Sequence, residues 1–515
     1  MDRPLSEPSE LNRAKSLIAD GRLGEASRIC RRLIDKTGSA EALYLLAVVS
    51  GQTGMHAEAL TLFQEAARKL PGRSDVTYNF GVILNGMGKT VEAIEQWEAT
   101  LAVNPTHADA LFNLGRARAD NRAWADAAEL FEHLAALRPG DPRVLLNLGN
   151  ACFRMGRLDR ARSCFGRIVE ADEGHVDARI NLGLTEYRDG RPDAAIRHLR
   201  RAIQLDPDNP RAHINIAQAL LFSGDLRDGY GENEWRRRAQ TLRFPVSGQS
   251  PWTGDDLTGR RILLYGEQGQ GDTIHFLRYV PAVAAKAAGV GVYCHPSLTG
   301  IVAGVDGVDQ AAGFGETPPP FDCYAPLMSL PLLLGMTGID AIPPAPYVAP
   351  VPAAALPGNG KKPRVGLAWA GNPEHEDDAS RSCPLAAMKP LIETAGIDFF
   401  SLQVGDAAAA INAENLAGAI ADLGRSFKTF ADTARAIQAL DLVISVDTAV
   451  AHLAGAMGRP VWLMLPRVPD WRWFAEGAAT PWYPSMRLCR QTDDGGWPPV
   501  VRDLAAALSD FAKTG

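Results

Sequence analysis

No stretch of this sequence is apolar for the roughly 20 residues a membrane-crossing helix needs. The opening residues, Met1-Asp2-Arg3-Pro4-Leu5-Ser6-Glu7, lack the apolar core of a signal peptide. Cysteine is scarce: Cys30, Cys152, Cys164, Cys294, Cys323, Cys383 and Cys489 are scattered, odd in number and form no CxxC pair. That argues for reduced thiols and against a zinc site. An excess of positive charge is also missing. The 53 Lys and Arg against 60 Asp and Glu leave a net charge of −7, which does not point to nucleic acid as the main partner. These absences predict a soluble, cytoplasmic protein with no membrane span. What remains is an ordinary globular composition, 46% hydrophobic and 22% charged. The length allows about three domains at ~150 residues each.

Residues 7–240 repeat. Small residues recur every 34 positions at Ala47, Gly81, Gly115, Gly149, Gly183 and Ala217. A second small register runs Ala59, Ala93, Ala127, Ala161, Ala195, Gly229, and a bulky one runs Phe63, Trp97, Phe131, Phe165, Leu199. Pro71, Pro105, Pro139 and Pro207 end units, with Glu173 as the exception. Small residues let the two helices of a hairpin approach, and the bulky residue fills the space beside them. A single hairpin cannot bury its apolar face, so neighbours stack. This period resembles the tetratricopeptide repeat. It predicts an α-solenoid with six regular units from residue 40 to about 240 and a degenerate first unit at 7–39. Such an array serves as a spacer, an oligomerisation platform or a groove for a protein segment. Arg236-Arg237-Arg238 reads as a solvated face or a contact for an acidic partner.

Residues 241–258 read as a linker rich in turn formers. Then Arg261–Tyr265 is a strand, Gly266 to Thr273 a glycine-rich turn, Ile274–Ala287 a helix and Val290–Cys294 a strand, which makes a βαβ unit. The GxGxxG spacing is not met and no acidic residue ends the second strand, so a dinucleotide site is rejected. A proline-rich segment, 343–362, separates this lobe (259–342) from a second (363–515) and is a hinge candidate. Arg364–Trp369 and Asp398–Gln403 read as strands of the second lobe, and Val500–Ala512 as its closing helix. Asp377-Asp378 lies in a polar loop and reads as solvated. The aromatic patch Asp470-Trp471-Arg472-Trp473 with Trp482-Tyr483 either stacks a base or sugar or is packing.

The most informative stretch runs from Asp441 to Pro466. Leu442–Val446 is an apolar, β-branched strand. Asp447 and Thr448 are N-cap types at its end, Gly458 stops the helix that follows, and Val461–Leu465 is a second strand. Ligands of open α/β sheets sit at the carboxyl ends of the strands, and a helix starting there suits a phosphate. Asp447 and Thr448 equally read as plain caps, and His452 as a packed histidine.

Asp447-Thr448-Ala449-x-x-His452-Leu453-Ala454-Gly455-Ala456 resembles the nucleotide-sugar motif of the heptosyltransferase-like enzymes of glycosyltransferase family 9. Gly271-Asp272-x-x-His275 with a displaced Pro281 is similar to the Gly-Asp-x-x-His-x-x-Pro signature of their first lobe. The resemblance covers about 259–515. It implies the fold class α + α/β, a tetratricopeptide α-solenoid followed by a two-lobed, Rossmann-like GT-B module. It implies catalytic roles for Asp272, the family's proposed general base, and for His275. Gly269 and Gly271 would shape the acceptor-side loop. Arg381, Gln403, Asp447, Thr448, Ala449 and His452 would bind the donor. The competing reading of Asp272 is an N-cap, and a helix N-terminus weakens a carboxylate as a base. A nucleotide sugar would be a substrate, with no further cofactor and no metal.

The first lobe, about 90 residues, is short for this family, which leaves the acceptor open. The expected activity is metal-independent transfer of a sugar to a protein hydroxyl, with the acceptor recruited by the repeats. The rivals are transfer to a lipid-linked or polysaccharide acceptor, and a non-enzymatic repeat scaffold carrying a degenerate transferase domain.

Overall fold

The protein is described by a computed structural model covering residues 6–239, 244, 246–358, 360–374, 378–492 and 496–514. Parts of the predicted linkers 241–258 and 343–362, and Asp377, lie outside the described residues. The chain divides into two compact units, residues 1–185 and 186–515. No described helix is long and apolar enough to cross a membrane.

The first unit is a series of antiparallel helical hairpins. They pair Glu7–Ala19 with Leu23–Thr37, Ala40–Gln52 with His56–Lys69, Ser74–Gly86 with Thr90–Val103, Ala108–Asp120 with Trp124–Leu137, and Pro142–Arg154 with Leu158–Ala171. The sequence registers have a direct steric meaning. A Cβ on Gly81 would stand 2.6 Å from Trp97 Nε1, one on Gly115 2.9 Å from Phe131 Cε1, and one on Gly149 2.5 Å from Phe165 Cε1. Each glycine makes room for the bulky residue 16 positions on, and Trp97, Phe131 and Phe165 are fully buried. A further register closes the hairpins with a left-handed residue. Gly54, Gly88 and Gly156 have φ of 77°, 76° and 72°, while Arg122 takes the same position at φ 59°. Glycine adopts that conformation without steric cost; arginine does not.

The division between units falls inside helix Val176–Arg188. The second unit therefore holds the last repeat helices, Pro192–Leu205, Pro210–Ser223 and Leu226–Asn233, together with two parallel sheets. The first sheet contains β1 (Ser250–Pro251), β2 (Arg261–Tyr265), β3 (Gly289–Cys294), β4 (Gln310–Gly313) and β5 (Cys323–Pro326), in the order β1-β5-β2-β3-β4. The second contains β6 (Arg364–Ala368), β7 (Asp398–Ser401), β8 (Ile420–Asp422), β9 (Leu442–Val446), β10 (Val461–Leu465) and β11 (Met486–Arg490), in the order β11-β10-β9-β6-β7-β8. All pairings within both sheets are parallel. Such sheets are covered on both faces, and all five residues of β9 are buried.

Each strand order has one place where it reverses. In the first sheet this lies between β2 and β5, in the second between β6 and β9. The loops leaving the two strands diverge there and open a crevice at the carboxyl ends.

Three expectations change. The helix expected at Ile274–Ala287 starts earlier and is broken. It runs Gln270–Phe276, passes through a 3₁₀ turn and resumes at Val280–Ala284, because Pro281 enters the first turn of the second piece. The segment 343–362 is strapped to both lobes rather than free as a hinge. Tyr347 N–H donates to Ala456 O (3.0 Å), and its hydroxyl donates to Ile274 O (3.0 Å). Finally, Arg236 is not on a solvated face. It is 5% exposed and bonds Glu267 (2.8 Å), which follows β2, and Ser329 (2.9 Å), which follows β5. The last repeat segment therefore places a guanidinium in the crevice of the first sheet. Its neighbour Arg238 lies 3.7 Å over the Trp235 ring, which in turn stacks on His213.

Candidate functional site

The site is built where the crevice of the second sheet meets the first helix of the first lobe. After β9 the chain reaches Asp447, and Thr448 is the N-cap of helix Ala449–Ala456. The Thr448 side chain does not cap; its hydroxyl lies 3.1 Å from Ser445 Oγ. The N–H groups of Ala449 and Val450 have no acceptor within the helix, by its geometry. Thr448, Ala449 and Val450 are half-buried, so this first turn is reachable.

On the other side of the reversal, the loop after β6 brings Arg381 back to the strand ends. A Cβ on Gly371 would stand 3.4 Å from Arg381 Nη2. Ser382 anchors the loop: its Oγ accepts from Gly371 N–H (3.0 Å) and donates to Asp378 Oδ1 (2.9 Å). Asp378 is thus engaged within the loop rather than simply solvated. Gln403 sits at the end of β7. Its Oε1 accepts from Trp369 and Ala370 N–H (both 3.0 Å), and its Nε2 donates to Ala370 and Val404 carbonyls (both 3.1 Å). Both lone pairs and both N–H groups are used. Gln403 positions the loop before Arg381 and has no capacity left for a direct ligand bond.

From the first lobe, helix Gln270–Phe276 points its N-terminus at the same place. Asp272 is its third residue, not the N-cap; Gly269 is the cap. Asp272 Oδ2 accepts from Gly269 N–H (2.9 Å), and Oδ1 accepts from Arg472 Nη2 (2.5 Å). Gly271 makes the meeting of the lobes possible: a Cβ there would lie 3.0 Å from His452 Cδ2 and 3.6 Å from Ala449 Cα. The two helix N-termini therefore touch with no side chain between them.

Beneath this rim lies a buried polar and aromatic cluster. Tyr483 OH bridges His452 Nδ1 (2.9 Å) and His275 Nδ1 (3.3 Å). A Cβ on Gly455 would lie 2.6 Å from the Tyr483 ring, so that glycine seats it. Burial holds both imidazoles well below the usual histidine range, so they are neutral. His275 is fully buried, which places it under the rim as a packing and hydrogen-bonding group. The aromatic patch is packing too: Trp473, Trp482 and Tyr483 are fully buried.

Arg472 enters the sequence expectations only as a member of the aromatic patch, with no role of its own. It is 5% exposed, donates to Asp470 Oδ1 (2.8 Å) as well as Asp272, and lies 4.4 Å over the Trp471 ring. Burial works against its charge, but Asp470 and Asp272 outweigh burial and hold its pKa above the ordinary value. Its signal in the sequence was the DWRW run, where an arginine sits between large apolar rings beside an aspartate.

Asp447 is almost fully buried, with His452 Nε2 3.6 Å away. Burial, then Asp470, pushes its carboxyl up to about 6; Arg381, the Trp473 indole and Arg472 pull the other way. The fold thus prefers the protonated form. Its stabilising contribution is complete below an unfolded value of about 4 and is lost as pH rises through about 6. Asp447→Asn should therefore stabilise the protein at pH 7.5 by up to about 3 kcal/mol, and by roughly half of that at pH 5. Chemical denaturation at the two pH values reads this out; a pH-independent difference would refute it.

A tetratricopeptide repeat family model matches residues 11–74, 78–142, 146–210 and 185–228, so the N-terminal region carries these repeats. Protein FlbA of Caulobacter vibrioides is 29% identical over 335 residues, covering 58% of this chain and 55% of that protein. The chain thus spans about half the length of this curated relative. Among solved structures, MamA from Desulfovibrio magneticus RS-1 is 21% identical (TM-score 0.31; 33% of this chain, 96% of that one). The C-terminal part of a repeat-containing protein from Cytophaga hutchinsonii is 19% identical (TM-score 0.36; 44% and 91%). These comparisons show no glycosyltransferase family 9 domain.

Proposed function

We propose that residues 259–515 form a GT-B glycosyltransferase, and that the repeats recruit its protein acceptor. One observation carries this reading. Asp272 of one lobe and Asp447 and Thr448 of the other lie where two helix N-termini meet at Gly271, and the loop after β6 brings Arg381 back beside Gly371 at the ends of the same sheet's strands. In this reading the acceptor hydroxyl gives its proton to Asp272 as its oxygen bonds the anomeric carbon of the donor sugar. The bond from that carbon to the diphosphate breaks, and the diphosphate leaves with the electron pair. Arg381, Thr448 and the N–H groups of Ala449 and Val450 meet the charge that develops on it, the largest catalytic contribution expected here. The tetratricopeptide repeats support a protein acceptor, since such arrays serve protein binding.

Thermal shift with a panel of nucleotide sugars tests the reading, because a ligand of the folded state raises apparent stability. One donor class should raise the melting temperature, and Arg381→Ala should weaken its binding by roughly tenfold to a hundredfold without unfolding the chain. No response to any nucleotide sugar would end the transferase reading and leave a repeat protein that binds proteins.

A further inference from the structure

The Asp272 carboxylate is occupied. One oxygen caps its own helix, and the other is held by Arg472, 200 residues away in the other lobe. The rest of Arg472 is unevenly used. Nη2 serves Asp272 and Nη1 serves Asp470, but Nε is buried with no hydrogen-bond partner. Arg381 Nε is likewise buried without a hydrogen-bond partner. A buried N–H group without an acceptor is costly, and Arg472 Nε belongs to the guanidinium that holds Asp272, on the helix whose N-terminus meets that of Ala449–Ala456 at Gly271. The guanidinium is kept in place by Trp471 on one side and Phe276 on the other, and by the Trp482 indole, which donates to its backbone carbonyl.

We propose that Arg472 is a positioning residue shared between the donor's diphosphate and Asp272. In the free protein it holds the carboxylate in an ion pair. A diphosphate at its Nε edge competes with Asp272 for the guanidinium and releases the carboxylate to take the acceptor's proton. The base is thereby freed only when a donor is in place. The atoms balance as in the transfer itself: the proton moves from the acceptor oxygen to Asp272, and Arg472 only changes partners. This inference rests on the transferase reading and adds to it a coupling between two residues in different lobes.

Competition has a signature that a merely structural arginine lacks. If Asp272 and the anion share Arg472, removing the Asp272 charge should tighten anion binding, but only while Arg472 is present. Inorganic pyrophosphate is the probe, titrated calorimetrically into the full chain. Asp272→Asn, which keeps a capping oxygen, should bind pyrophosphate about tenfold more tightly than wild type, the size of one charge-assisted contact. In an Arg472→Gln background the same change should have less than about a twofold effect. Arg472→Lys keeps the charge without the fork and should restore part of the gain; it also serves if Arg472→Gln does not fold. A gain that persists without Arg472 would be general charge relief and would overturn the proposal, as would no gain in either background. If pyrophosphate binds no variant the proposal is overturned, and thermal shift with nucleotide sugars then shows whether the donor site falls with it.

Discussion

Asp272→Asn should reduce sugar transfer by about 10²-fold or more while the chain stays folded and still binds its donor. Asparagine has nearly the same shape, and its oxygen can still accept from Gly269 N–H, so the helix start survives. What it loses is the ability to take a proton and the charge that holds Arg472. Arg472 retains Asp470, which limits the structural damage. The measurement is transfer from a nucleotide sugar to an acceptor protein, with donor affinity determined alongside. If Asp272 acts only as the third residue of a capped helix, activity survives. Full activity would therefore remove Asp272 as the base, and the fully buried His275 could not replace it without an opening of the lobes.

Arg236→Met should destabilise the second unit by about 3–5 kcal/mol, the cost of breaking a buried ion pair by removing one partner. Arg236 and Glu267 are 5% and 1% exposed at their side chains, and Glu234 and Ser329 complete the network. Removing the guanidinium takes from Glu267, 1% exposed, its ion pair with Arg236, while Glu234 keeps Arg237. The network lies in the crevice between β2 and β5, so it joins the last repeat segment to the first sheet. Denaturant unfolding followed by tryptophan fluorescence measures the effect. A loss below about 1 kcal/mol would mean the pair behaves as an exposed one and does not tie the repeat segment to the sheet.

Much of this was readable along the chain. The 34-residue spacing specified helical hairpins because packing between adjacent helices repeats whenever small and bulky residues repeat; Gly115 under Phe131 is that relation in three dimensions. The apolar runs at 261–265, 364–368, 442–446 and 461–465 are strands as expected, since a strand buried on both faces needs a continuous apolar run. β4, β5, β8 and β11 are not legible in the sequence because they carry no continuous apolar, β-branched run. Of the two N-cap types at the end of β9, Thr448 occupies the cap position; the competing N-cap reading of Asp272 falls three residues late, because Gly269 is the cap.

The tertiary structure decided which polar residues are free and which are spent. Gln403 stands at the strand end where a ligand contact was expected, yet two backbone segments consume its amide. Arg236 reads as solvent-exposed within Trp235-Arg236-Arg237-Arg238, and only the approach of Glu267 and Ser329, 31 and 93 residues on, buries it. Arg472 meets Asp272 only because two lobes pack helix end to helix end at Gly271. Local pattern reports which face of a helix or strand is apolar, and so it determined the repeats, the strands and the places where loops leave them. Hydrogen bonds and ion pairs act over a few ångströms between residues that stand from about thirty to 200 positions apart, so the partners of Asp272, Arg236 and Gln403 are set by how the sheets and helices pack.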